Sequence, residues 1–131
     1  MMFNNGMQAQ NLLSSSYMCG NIAFDGDTLF SPVLNYVKQI DLKNNRTSIL
    51  PFQTHNQIST IAIHPSGVIL VAIDVVGYAV VFNIKGMFSI AEYNFKGSVN
   101  TASFSDDGKL FCVTQAHGFM VYQCPSLWRT F

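Results

Sequence analysis

The chain has 131 residues, 49% of them hydrophobic, and seven Lys and Arg offset seven Asp and Glu at zero net charge. Only 11% of residues are charged, against about a quarter in ordinary soluble domains, so this surface is poorly solvated and expects a cover. The length allows one domain with a real core, and the scattered basic residues (Lys38, Lys43, Arg46, Lys85, Lys96, Lys109, Arg129) exclude a field that would draw in nucleic acid.

Residues 1–10 hold no basic residue and no apolar run, which argues against a secretory signal, and disorder is expected there. Helical periodicity occurs only around 7–13 and is too short to form an element. From there the chain reads as strands. A first unit has strands at 21–24, 28–31 and 36–41, with a tight Asp25-Gly26 turn and a more polar fourth strand at 47–50. A second unit repeats the order at 60–63, 69–73 and 78–83, with the turn His64-Pro65-Ser66-Gly67 and an outer strand at 90–95. In that outer strand Ile90, Glu92 and Asn94 alternate with Ala91, Tyr93 and Phe95, as one wet face requires. A third unit has strands at 101–104, 110–114 and 119–123, with the turn Ser105-Asp106-Asp107-Gly108.

The longest apolar run, 68–82, is shorter than the roughly 20 residues needed to span a bilayer, and Asp74 sits near its middle. Two strands joined by a turn at 74–77 explain it, apolar on both faces because neighbouring sheets sandwich them.

Gly26, Gly67 and Gly108 stand 41 residues apart, each closing a turn between two strands. Glycine supplies the positive φ that ends such turns. A repeat of about 40–45 residues with four short strands is the signature of WD40-type blades. An immunoglobulin-like sandwich also has short strands, but it does not predict equal periods. The expected architecture is all-β: three degenerate four-stranded blades at about 17–51, 58–96 and 99–131. Closed propellers have about 4–8 blades, so this is a partial, unclosed propeller. Open faces and edges then favour self-association, and the isolated chain is expected to form a homo-oligomer by pairing blades, by strand exchange among other routes. The Trp-Asp ending of the third strand is replaced by Ile40-Asp41, Phe82-Asn83 and Tyr122-Gln123. The polar network usual in such blades is therefore expected to be largely missing, leaving packing to carry the stability.

More specific features follow. Asn11-Leu12-Leu13, Tyr17, Gly20-Asn21, Ser31-Pro32-Val33, Asp41-Leu42-Lys43-Asn44-Asn45 and Leu50-Pro51 form one ordered series. Phe95-Lys96-Gly97-Ser98-Val99, Ser103-Phe104-Ser105 and Asp107-Gly108 continue it. Together they resemble the N-terminal part of the periodic tryptophan protein 2 family, over about residues 11–124. The run from Asp41 to Asn45 is the sharpest part, because a generic WD40 repeat does not predict it. Two departures stand out: Met18-Cys19 replace the family's basic residues before Gly20, and the Asp25-Gly26 turn is shortened.

The resemblance implies a non-catalytic scaffold of the small-subunit processome, in the nucleolus of the nucleus, acting in ribosome biogenesis and 18S rRNA maturation. It implies other processome proteins as partners, indirect association with pre-rRNA and U3 small nucleolar RNA, and no membrane. This chain would be an opening portion of such a protein, as an excised fragment or a truncated product. The competing readings are a direct RNA-binding module, which zero net charge disfavours, and a generic WD40 interaction domain in another complex.

No residue set points to enzyme chemistry. His55, His64 and His117 fall in turns without metal-ligand spacing, and read as turn-forming, surface imidazoles. Cys19, Cys112 and Cys124 form no C-x-x-C pair and read as reduced thiols, with Cys112 and Cys124 on adjacent strands as small hydrophobes. Asp106 and Asp107 read as turn caps rather than an acid–base pair. No nucleotide or hydrolase fingerprint is present, so no catalytic residue, cofactor or metal is expected.

Overall fold

A computed structural model of the chain describes residues 20–124. The expected disorder at 1–10, and the ends of the first and third units at 17–19 and 125–131, lie outside the described residues.

Every element among the described residues is a strand, and the strands form three antiparallel meanders. Blade I comprises β1 (Ala23–Asp25), β2 (Thr28–Val33), β3 (Tyr36–Asp41) and β4 (Arg46–Ile49). Blade II comprises β5 (Ile58–Ile63), β6 (Ile69–Asp74), β7 (Tyr78–Asn83) and β8 (Phe88–Asn94). Blade III comprises β9 (Thr101–Phe104), β10 (Leu110–Gln115) and β11 (Gly118–Gln123). The first strands β1, β5 and β9 lie side by side, so the blades stack in chain order. The architecture is that of a partial, unclosed propeller.

Turn chemistry makes the blades alike. In blade II the Gly67 amide donates to the His64 carbonyl (2.8 Å) and the His64 amide to the Ile69 carbonyl (2.9 Å). Blade III repeats both bonds with Gly108 to Ser105 and Ser105 to Leu110, each 2.9 Å. Blade I keeps the positive-φ glycine, Gly26 (φ 60°), but its turn is only two residues long. The same backbone bond joins the residue after the third strand to the first hairpin turn in all three blades. It runs from Leu42 to Asp27, from Ile84 to Val68 and from Cys124 to Lys109.

Strand alternation then builds two apolar clusters, one in each gap between blades. Phe30, Val37, Leu50 and Phe52 of blade I meet Ile58, Ile61, Leu70, Ala72, Val80 and Phe82 of blade II. On the other face of blade II, Val71, Ile73, Ala79 and Val81 meet Val99, Phe111, Val113 and Cys124. All six residues of β6 are buried, because its odd and even positions each have a covering blade.

One expectation needs correction. Ile90 does not lie on a wet face but is half-buried against the second cluster. A register shift opposite Val81 and Phe82 re-aims the strand there, as a bulge does. Beyond it, Glu92 and Asn94 face solvent while Ala91 and Tyr93 turn inward, as the alternation requires.

The turn glycines also meet the preceding blade. A Cβ on Gly108 (φ 75°) would lie 2.5 Å from the His64 ring, whereas a Cβ on Gly26 would meet nothing within 4 Å. Gly26→Ala should therefore cost only the left-handed backbone strain, about 1–2 kcal/mol. Gly108→Ala should cost at least about 1 kcal/mol more, because it also pushes the imidazole out of the seam between blades. Urea unfolding of both variants checks this, and equal losses would contradict a glycine held by a blade contact.

Candidate interaction surface

Two seams join the three blades, each tied by polar side chains. The first seam is tied by Asn21. Its Oδ1 accepts from the Thr60 hydroxyl (2.7 Å) and the Ile61 amide (3.0 Å), and its Nδ2 donates to the Ile61 carbonyl (2.9 Å). This one side chain continues the edge of β5 as a strand would, which explains why an asparagine follows Gly20.

The second seam is tied by His64, which is not the surface imidazole its turn position suggests. Its Nε2 lies 2.9 Å from the Gly108 carbonyl and so carries the proton, while its Nδ1 accepts from the Ser66 amide at 3.1 Å. The ring packs edge-on to Phe104 at 5.1 Å. Gln115 adds a second tie, its Nε2 donating to the carbonyls of Phe95 and Gly97 at 3.2 Å each. Polar ties thus join one blade to the next, built from residues other than the Trp-Asp pair.

Asp74 is fully buried at the end of β6. Its Oδ1 accepts from the amides of Val76 and Tyr78, both at 3.0 Å, and its Oδ2 from Asn56 Nδ2 at 3.2 Å. Three donors converge on one carboxylate, so a charge in the middle of an apolar run becomes a cap for the β6–β7 turn. Asp41 does the same work after β3, accepting from the Asn44 side chain (2.8 Å) and from the Lys43 and Asn44 amides. These bonds, the Asn44 side chain foremost, hold its carboxyl below the usual range. The Asp41 to Asn45 run is therefore a capped turn that ends on Asn45 at positive φ.

The remaining singled-out residues do not converge. Asp107 accepts from the Lys109 amide (3.0 Å) and the Ser105 hydroxyl (2.7 Å), which lower its pKa, and it acts as a turn cap. Cys112 and Cys124 carry free thiols on opposite faces of blade III. Cys124 lies in the second cluster, where burial and then the Asp107 charge push its thiol up. His55 and His117 are exposed in separate loops. Among the described residues no three His, Cys, Asp or Glu side chains could hold a metal ion, and no helix is long and apolar enough to cross a membrane.

The two end faces differ. On the face of blade I turned away from blade II, Leu29, Ser31 and Ile40 are buried. On the face of blade III turned away from blade II, Leu110, Phe119 and Val121 are 42%, 61% and 53% exposed. Their counterparts one repeat earlier, Ile69, Ala79 and Val81, are 8%, 1% and 0% exposed beneath blade III. Sequence reasoning expected open faces and edges, and among the described residues the outward face of blade III is exposed. Sequence reasoning read Asn21 only as a strand start and part of the family resemblance and did not single out Gln115, because their partners lie in other blades.

No protein-family model matches the sequence. The chain is 38% identical over 123 residues to the Mus musculus periodic tryptophan protein 2 homolog, covering 92% of this chain and 13% of the relative. It is 34% identical over 119 residues to periodic tryptophan protein 2 of Saccharomyces cerevisiae, covering 89% of this chain and 13% of the relative. Against the Arabidopsis thaliana protein of that name it is 31% identical over 121 residues, covering 92% of this chain and 13% of the relative. The chain thus spans about an eighth of the length of these curated relatives. Among solved structures, Kuenenia stuttgartiensis hydrazine synthase superposes with a TM-score of 0.71 over 95% of this chain and 37% of that one. At 18% identity this is a likeness of fold alone.

Two outcomes follow from the seams. Asp74→Ala should lower unfolding free energy by about 2–4 kcal/mol, by stranding three donors in the interior. Asp74→Asn should lose less, since its amide oxygen still accepts, and equal losses in urea titrations would refute the cap. Burial, then the neighbouring Tyr93, pushes Tyr122 up to about 12 from 10.0. A raised folded pKa favours the neutral phenol, so this contribution is complete below pH 10 and is lost as pH rises towards 12. Tyr122→Phe should flatten that part of the stability profile, as read by thermal melts across the alkaline range.

Proposed function

Since the chain matches, along about 90% of its length, a segment of the periodic tryptophan protein 2 family, we propose that it is part of a WD-repeat scaffold for ribosome biogenesis. The observation that carries this reading is the continuous match across all three blades, at 31–38% identity with relatives from mouse, yeast and plant. The segment supplies blades of a larger propeller and holds other proteins of the small-subunit processome. It associates with pre-rRNA and U3 small nucleolar RNA through those proteins, and it works in the nucleolus.

The chemistry of the surface supports assembly over catalysis. Asn21, His64 and Gln115 are spent on blade seams, and Asp41, Asp74 and Asp107 on turn caps. Zero net charge and dispersed basic residues give it little phosphate affinity of its own. Protein contact through apolar faces is what such a surface does well.

The test is affinity purification, from nucleolar extract, of the full-length protein that contains this segment, alongside the same protein lacking residues 20–124. The expected outcome is co-purification of processome proteins by the first, and loss of 18S rRNA maturation in cells that carry only the second. Normal 18S rRNA levels without the segment would overturn the proposal. Salt-dependent RNA binding by the purified segment at micromolar concentration would favour direct RNA contact instead.

A further inference from the structure

Blade II has a described blade on each side, so side chains exposed on it are not bared by an end of the sequence. Val75, Val76 and Tyr78, at its β6–β7 turn, are 41%, 46% and 44% exposed. The linkers to either side close on that turn. The Val75 amide donates to the Gln57 carbonyl (2.8 Å), and the Ser98 hydroxyl donates to the Val75 carbonyl (2.7 Å). His55 of the first linker packs edge-on to Tyr78 at 6.0 Å. The Ile58 amide ties the same linker to Leu34, whose exposed side chain sits in the β2–β3 turn at φ 55°.

Val75 and Val76 break the rule for such turns, whose middle positions go to Asp, Asn, Gly, Pro or Ser. Leu34 breaks another, since a leucine in the left-handed region is strained. None of these side chains is repaid by burial within the chain. Local choices that conflict with the turn in this way mark a surface kept for contact with another molecule.

Backbone bonding and charge define what that molecule presents. The Val76 and Tyr78 amides donate to Asp74 Oδ1, the Gly77 amide to the Asp74 carbonyl, and the Val75 amide to Gln57. Every amide of the turn is therefore used, which removes strand addition and a phosphate-binding nest and leaves side-chain contact. In the turns and linkers of this end, the charged side chains among the described residues are the exposed Lys96 and the fully buried Asp74. The acidic turns at 25–27, 41–45 and 105–108 lie at the opposite end of the blades. An apolar segment that carries a carboxylate meets no like charge here, whereas a basic one faces Lys96. An exposed ion pair changes affinity by at most about fivefold, so apolar contact supplies the affinity and Lys96 the orientation.

We propose that the β6–β7 end of blade II, centred on Val75, Val76 and Tyr78, is a docking surface for a partner-protein segment that combines apolar side chains with a carboxylate set against Lys96. Asp74, Gln57 and Ser98 already fix the turn, so binding does not have to order it. The proposal rests on the scaffold reading above only in taking the occupant to be a protein.

Selection of random dodecapeptides displayed on phage against the full chain, followed by fluorescence polarisation with synthetic copies of the enriched peptides, tests it. The enriched peptides should combine Leu, Phe or Trp with Asp or Glu. Val75→Asp and Val76→Asp should each weaken their binding roughly tenfold or more, and Lys96→Glu by about two- to fivefold. Both valines are solvent-exposed, so circular dichroism should be unchanged, and Val76→Ser, which adds no charge, should weaken binding in the same direction. Failure to enrich any peptide overturns the proposal, as does an enriched set that is basic or that binds Val75→Asp and Val76→Asp undiminished. A labelled oligouridine that binds in place of these peptides and is lost with Val76→Asp would assign the surface to RNA and overturn it too. No processome component enters the assay, so its failure leaves the scaffold reading standing.

Discussion

The middle blade is apolar on both faces, and the rest of the structure answers to that constraint. Leu70, Ala72, Val80 and Phe82 point to one side of it, and Val71, Ile73, Ala79 and Val81 to the other. Burying each such side chain of Val, Leu, Ile or Phe size is worth about 1.5–3 kcal/mol, so an uncovered face would leave several of these contributions unrealised. Blade II is consequently stable only between neighbours. Stability in such a stack resides in the interfaces as much as in the repeats, as in other repeat architectures.

Apolar packing is non-directional, and two sheets with complementary faces can slide against one another. The polar contacts at the seams remove that freedom. Asn21 fixes blade I to β5 through three bonds, and His64 fixes the blade II turn to the Gly108 carbonyl. Gln115 bridges to two carbonyls of the linker that follows β8. Each is satisfied by backbone groups that would otherwise lie unpaired at a blade junction. Blades that lack the Trp-Asp pair thus obtain their register from side chains at the junctions.

Legibility differed between elements for physical reasons. β3, β7 and β9 match their sequence reading because propensity, alternation and turn residues agree there. β8 did not read correctly at Ile90, since a bulge changes the face of a residue without changing its type. The partners of Asn21 and His64 lie 39 to 44 residues away, and no local pattern reports a contact at that distance. Asp74 was legible as a turn residue but not as a fully buried one, because burial depends on the blades to either side.

The sequence by itself determined the repeat: the glycine spacing, the strands between the turns, the three blades and the likeness to one family. These are local properties, set by φ preferences and side-chain alternation within some 40 residues, and the chain carries them wherever it is placed. Only the tertiary structure decided which side chains tie the seams, that the blade I face is buried, and that the blade III face is exposed. Those are relations between blades. They exist only once sheets distant in sequence have packed, because a hydrogen bond or a covered face belongs to two surfaces and a sequence position describes one.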